Sequence, residues 1–373
     1  MNSSIFRRGR RWHLSPAIAL AALLALTGCA ATDGAARSEP TGSAGPADSA
    51  GPASSEPVGL LPAAEGTTTY PLTLKTWAGE SVLQKRPERI AVIGTSPNMD
   101  ALQALDVTPV YTLSEDSYAW RDKAWTEKIE KVDTATRKDP INFEGIAALK
   151  PDLIVAVGAV WEKPDFKKLA DIAPVLDTEK EGEIPWQDLQ RLVGKTVDLA
   201  AAADKVVTSA EQALTDVAKA HPEFAGKTIT IANDYGPQYG LSYYTVAGTF
   251  TEKVMVDLGF TANPNAKRFV DEDVVSDENQ GLLDADVLVV VYVSEAVRKA
   301  REAKPLFTSV KAVSEKRYVA LTLVEDEPTK LVNAAGTQVE NATWVLRAGA
   351  SATSLPWAVK VVAEQWLAGA KLS

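Results

Sequence analysis

Apolar positions first organise themselves between Ile141 and Gly158, INFEGIAALKPDLIVAVG. Their spacing predicts a helix entered at Asn142 and closed at Lys150-Pro151, then a buried strand from Leu153 to Val157. The same pattern returns in VVSDENQGLLDADVLVVV, where Ser276, Glu278, Leu283, Asp286 and Val289 stand in step with Asn142, Glu144, Leu149, Asp152 and Val155. A helix–strand unit used twice, each with a Glu in its first turn, predicts two similar lobes.

Around the first copy, Pro71–Trp77 and Glu80–Leu83 predict a hairpin, Arg89–Ile93 a buried strand, Asn98–Leu105 a helix and Val110-Tyr111 the start of another strand. After Val157 come a helix to Ile172 and a short strand, Pro174–Leu176. Strand, helix, strand and then the helix–strand unit describe an α/β lobe with a mainly parallel sheet. From Pro185 to His221, apolar residues recur at spacings of three and four with no interrupting proline until Pro222, which predicts one long amphipathic helix. Beyond it, Lys227–Ala232 reads as a strand, Asn233–Tyr244 as a Gly/Pro-broken loop and Phe250–Leu258 as a helix. Val297–Val313 is helical around Pro305, Tyr318–Leu321 is a strand, and Leu355–Leu367 is the closing helix.

The organisation expected is a signal peptide over 1–28, a flexible tether over 29–66, an N-terminal α/β lobe over 67–184, a connecting helix over 185–221 and a C-terminal α/β lobe over 222–373. Arg7, Arg8, Arg10 and Arg11 precede a short apolar run, Ala17–Leu26, of signal-peptide length. The run ends in Leu26-Thr27-Gly28-Cys29, which resembles a bacterial lipobox with Cys29 as the lipidated residue. The tether is Ala, Gly, Ser, Pro and Thr with scattered acids, too poor in large apolar groups to offset its ordering entropy.

Composition narrows the chemistry. The 373 residues carry a formal charge of −10, and removal of four arginines with the signal peptide takes it to −14. No basic face for nucleic acid is expected. Cys29 is the only cysteine, so no disulfide framework or thiolate metal site is available. His221 is the only imidazole after residue 28, no Gly-x-Ser-x-Gly elbow is present, and Ala225–Thr228 imitates a phosphate loop without its first glycine. An enzyme is not expected. Tyr118, Trp120 and Arg121 stand in an irregular stretch that fits a cleft rim as well as a solvated loop. Trp161 lies just beyond a strand's carboxyl end, where open α/β sheets bind ligands and where packing is an equal use.

The lipobox, RPERIAVIGTSPNMDALQALDVTPVY, NFEGIAALKPDLIVA, the long mid-chain helix and SDENQGLLDADVLVV together resemble the iron-siderophore solute-binding proteins of ABC importers. These are relatives of the vitamin B12 and ferric hydroxamate binding proteins, and the resemblance runs from about Pro71 to Leu367. It implies two Rossmann-like lobes joined by a rigid helix with a ligand cleft between them. It also implies that Glu144 and Glu278 dock onto arginines of the ABC permease. The expected ligand is a ferric siderophore, with iron present only inside the chelate and no resident cofactor or metal site. Tyr118, Trp120, Arg121 and Trp161 from the first lobe and Tyr235, Tyr239, Tyr292 and Arg347 from the second are the candidate ligand contacts, with Arg347 placed in the loop before the closing helix. Haem or a corrinoid in the same fold is the alternative ligand, and a siderophore-ester hydrolase the alternative activity. A monomer is expected, anchored by lipid on the extracytoplasmic face of the cell membrane.

Overall fold

The computed structural model describes residues 60–113, 118–133, 139–180, 184–370 and 372. The expected signal peptide, Cys29 and most of the expected 29–66 tether lie outside them. The chain from residue 57 onward forms one compact unit.

The hairpin β1 (Leu72–Thr76) and β2 (Gly79–Leu83) opens the first lobe, followed by β3 (Ile90–Val92), α1 (Ser96–Gln103), β4 (Tyr111–Leu113), α2 (Lys123–Thr126) and β5 (Lys131–Asp133). Then come α3 (Phe143–Ala148), β6 (Leu153–Val155), α4 (Lys163–Ala170) and β7 (Val175–Leu176). The five parallel strands stand in the order β5-β4-β3-β6-β7. Apolar side chains cover both faces of this sheet, as a parallel sheet requires.

The expected single connecting helix is two helices, α5 (Trp186–Thr196) and α6 (Ala200–Ala220). The break falls at Asp198, whose φ of 58° lies in the left-handed region. The two helices run back against each other: Arg191 pairs with Asp204 at 2.8 Å and Gln187 donates to Glu211 at 3.2 Å. Gly194 permits the close approach, since a Cβ there would sit 2.3 Å from that of Ala203. α6 alone is the connector, about 31 Å long at 1.5 Å per residue. Leu199 and Ala203 belong to the first lobe's core, whereas Val207, Ala210, Leu214 and Val217 belong to the second lobe's.

The second lobe contains β8 (Ile229–Asp234), β9 (Leu241–Tyr243), α7 (Phe250–Asp257), β10 (Val274–Val275) and β11 (Val287–Tyr292), then α8 (Glu295–Glu302), α9 (Pro305–Thr308) and α10 (Lys311–Ser314). β12 (Tyr318–Val324), β13 (Glu327–Asn333), β14 (Gln338–Glu340), α11 (Thr343–Arg347) and α12 (Ser354–Lys360) complete it, with a π-helical turn over Val361–Trp366. The sheet order is β10-β9-β8-β11-β12-β13-β14, with a parallel centre and antiparallel flanks. β11 is buried on both sides: Val287, Val289 and Val291 face one core, and Leu288, Val290 and Tyr292 the other.

The repeated unit occupies equivalent places. β6 pairs with β3 and β11 with β8, each in parallel. Asp152 accepts the backbone N–H groups of Glu88 and Arg89 ahead of β3, and Asp286 accepts the N–H and hydroxyl of Thr228 ahead of β8. The copies differ in their helices, because residues 277–283 form a 3-10 turn rather than an α-helix.

The expected tether ends early. The Leu60 carbonyl accepts from Thr108, while Leu60 and Leu61 pack against the first lobe's cores. Glu65 accepts from the amides of Ala201 and Ala202, so it caps the N-terminus of α6. Asp198 accepts the amides of Gly66, Thr67 and Thr68 at 2.8–2.9 Å. Residues 60–66 are therefore part of the folded body.

Candidate functional site

Between the lobes lie two adjoining cavities of about 370 and 380 Å³ that share Trp344. The first is built where β3 and β6 end. Gly94 and Thr95 follow one strand and Gly158, Ala159 and Trp161 the other. Asn98, fully buried in the first turn of α1, ties the two strand ends by donating to the carbonyls of Ile93 at 2.9 Å and Val157 at 3.0 Å. Across from them stand Trp186 at the start of α5 and Trp344 in α11. Trp344 is braced by a bond from its Nε1 to Ser96 Oγ at 2.9 Å, a link between the lobes. The indole also rests against Gly349, where a Cβ would lie 2.2 Å from Nε1, so only glycine leaves the ring its seat.

The second cavity belongs to the second lobe. Asn233, Asp234 and Tyr235 run along the end of β8, and Val291 to Val293 along the end of β11. Arg347 occupies the last position of α11, not a loop, and its guanidinium reaches the hydroxyls of Tyr235 at 3.4 Å and Tyr244 at 3.3 Å. The same group lies 5.6 Å from the centroid of the Tyr244 ring, within cation–π range. Tyr235 and Tyr244 bond to each other at 2.8 Å, and Asn233 Nδ2 donates to Tyr235 at 3.3 Å. Burial, and then the neighbouring Tyr235, push the Tyr244 phenol above its ordinary pKa, so it stays a neutral donor and acceptor.

Four of the expected ligand contacts therefore line the cavities: Trp161, 62% exposed, in the first, and Tyr235, Tyr292 and Arg347 in the second. Tyr239 is 46% exposed but belongs to the turn after Gly236 and lines neither cavity. Tyr292 ends β11 at the cavity floor, yet its ring is fully buried and its hydroxyl pairs with that of Tyr318 at 2.6 Å. It is a core residue, because the strand's alternation turns it to the sheet face away from Val291.

Tyr118, Trp120 and Arg121 lie in a different place, a polar seam where the lobes touch. The Tyr118 and Trp120 rings stack at 4.3 Å, and Trp120 packs at 4.7 Å on Trp357 of the second lobe. Arg121, only 9% exposed in its side chain, pairs at 2.8 Å with the fully buried Asp100. Asp100 also accepts from Trp120 Nε1 and, at 2.7 Å, from Ser351 Oγ of the second lobe. Burial raises the Asp100 carboxyl, against the downward pull of Arg121. The expected ligand cation is thus a structural counter-ion that helps join the lobes.

Trp344, Trp186 and Tyr244 are cavity residues that the sequence reading passed over. Trp344 and Arg347 are three positions apart in one helix, a spacing that places both on one face. Together the lining offers broad aromatic faces and, in Arg347, a guanidinium beside phenolic hydroxyls. This set can hold a large ligand carrying oxygen acceptors.

Glu144 and Glu278 stand outside the cavities, and both are exposed in the first turn of their helical elements. Asn142 caps α3 by accepting from Gly145 at 2.9 Å and donates at 2.7 Å to Asp133, which also receives the Tyr111 hydroxyl.

A curated relative, the Fe(3+)-citrate-binding protein YfmC of Bacillus subtilis (strain 168), is 24% identical over 239 residues, which are 63% of this chain and 73% of the relative. The Fe(3+) dicitrate-binding periplasmic protein FecB of Escherichia coli (strain K12) is 27% identical over 261 residues, 67% of this chain and 82% of the relative. The crystal structure of PiaA from Streptococcus pneumoniae TIGR4 in complex with ferrichrome shares the fold, with a TM-score of 0.58 at 22% identity over 78% of this chain and 97% of that one. The periplasmic binding protein family model matches residues 88–322. With its two lobes, connecting helix and interlobe cleft, this chain belongs to the periplasmic binding protein family.

Proposed function

We propose that this chain is an extracytoplasmic solute-binding protein that captures a ferric siderophore or a related ferric chelate and delivers it to an ABC importer. The observation that carries the reading is the Arg347–Tyr235–Tyr244 cluster, which faces a cleft whose other wall presents Trp161. A ferric chelate already encloses its metal, so its receptor needs cations, hydroxyl groups and aromatic faces around the periphery instead of iron ligands. The ferric citrate bound by the curated relatives and the ferrichrome held by the similar solved structure are chelates of this kind. In this reading Cys29 carries the lipid that holds the protein on the outer face of the cell membrane. Glu144 and Glu278 meet arginines of the permease, for which exposed carboxylates at helical first turns are well suited. The chain performs no chemistry on its cargo.

Titration of intrinsic tryptophan fluorescence with ferrichrome, ferric citrate and their iron-free forms tests the proposal. Trp161, Trp186 and Trp344 line the cleft, so saturable quenching by at least one ferric form is expected. No response to either ferric chelate would count against the ferric-chelate reading.

A further inference from the structure

Glu278 follows Asp277 at the start of the 3-10 turn of the second lobe, and Asp277 is held with unusual completeness. Its carboxylate accepts from Lys304 Nζ at 2.7 and 2.8 Å, from Gln280 Nε2 at 2.7 Å and from Arg301 at 3.2 Å. Lys304, then burial and Arg301, bear on the Asp277 carboxyl, with a net shift below the ordinary carboxylate range. Arg301 is itself buried in α8, and its Nε donates at 2.7 Å to Asp234. Asp234 is the buried last residue of β8 on the wall of the second cavity, and its other oxygen accepts from Gly236 at 3.0 Å. One guanidinium therefore spans from the ligand cavity to the turn that carries Glu278.

An arginine suits the spanning position. Its rigid fork engages two carboxylates in fixed directions, whereas an ammonium on a flexible stem fixes neither direction. A buried guanidinium that lost one of these partners would depend on the other alone, so a shift of either carboxylate removes part of its compensation. Ser276 gives the 3-10 turn no side-chain cap, so its N-terminal end is held through Asp277, while Gln280 and Leu283 bury its far end.

We propose that Arg301 is a positioning residue that fixes the Glu278 turn relative to the ligand cavity, so that the docking carboxylate is registered to the wall of the binding site. The inference rests on the reading of Glu278 as a permease contact. It is tested with full-length lipoprotein and the permease–ATPase complex in lipid nanodiscs, together with hydrogen exchange of the 277–283 amides. Arg301→Gln and Asp277→Asn should each weaken complex formation about tenfold, with little further loss in a Glu278→Ala background, because coupled residues are not additive. Arg301→Gln and Asp234→Asn should also speed exchange over 277–283 while leaving 143–148, the first-lobe counterpart, unchanged. Normal complex formation by Arg301→Gln and Asp277→Asn where Glu278→Ala is impaired would overturn the proposal, as would full additivity or unaltered exchange in the turn. Normal binding by Glu278→Ala itself would remove the docking reading and this inference with it. Should Arg301→Gln fail to fold, Asp277→Asn, altered at an exposed carboxylate, carries the test.

Discussion

The Arg347 guanidinium is held between two phenols that already bond each other, so its position is set before any ligand arrives. Arg347→Ala should weaken affinity for the bound ferric chelate about tenfold, the scale of a lost charge-assisted hydrogen bond. Tyr292→Phe should leave that affinity within about twofold and cost about 1 kcal/mol of stability, since its hydroxyl serves only Tyr318. Fluorescence titration beside urea unfolding separates the two, and a large affinity loss in Tyr292→Phe would contradict its assignment to the core. Residue type and position together put Trp161 and Tyr235 on the cavity lining. The same reading misled at Arg121 and Tyr292, because a sequence does not disclose that Asp100 waits as a buried counter-ion or which sheet face a both-sides-buried strand turns toward the cleft.

Among the elements, apolar periodicity located β3, α1, β6, α7 and β11 well, because long-range packing and local pattern agree there. β9, β13 and β14 went unread; they are antiparallel flanking strands interrupted by polar residues, β13 and β14 half exposed and β9 buried but only three residues long. The α5–α6 break was hidden for a physical reason. Apolar spacing continues through Val197-Asp198-Leu199 because both helices bury the same side of the hairpin, and no proline or glycine marks the turn. Asp198 holds this turn and the incoming chain together. Burial raises its carboxyl, but the amides of Thr68, Gly66 and Thr67 outweigh that and lower it below its ordinary value. Its stabilising effect is thus complete above the unfolded carboxyl's pKa of about 3.9 and is lost as pH falls through the still lower folded value. Asp198→Asn should cost about 1–3 kcal/mol in urea unfolding at neutral pH, with the gap from wild type closing only below about pH 4. An equal gap at every pH would show that charge has no part in the contact.

For the molecule as a whole, the internal repeat was the most informative signal in the chain, because two copies of one unit imply two lobes without reference to any single side chain. The repeat also reached the detail of Asp152 and Asp286, which perform the same task at the entry to each central sheet. How the lobes meet was not legible, since Ser96–Trp344 and Asp100–Ser351 join residues about 250 positions apart through hydroxyl groups that carry no pattern. The proposed lipid anchor lies outside both lobes: Cys29→Ala should move the protein from the membrane fraction to the soluble fraction while leaving chelate affinity unchanged, and retention on the membrane would refute the anchor.

The connector α6 donates its first turns to one hydrophobic core and its remaining turns to the other. Neither lobe can therefore bury its apolar surface without a helix whose other end belongs to its neighbour. The two halves, though separate in architecture, should therefore unfold together, as one transition in urea followed by fluorescence, and two separate transitions would contradict this.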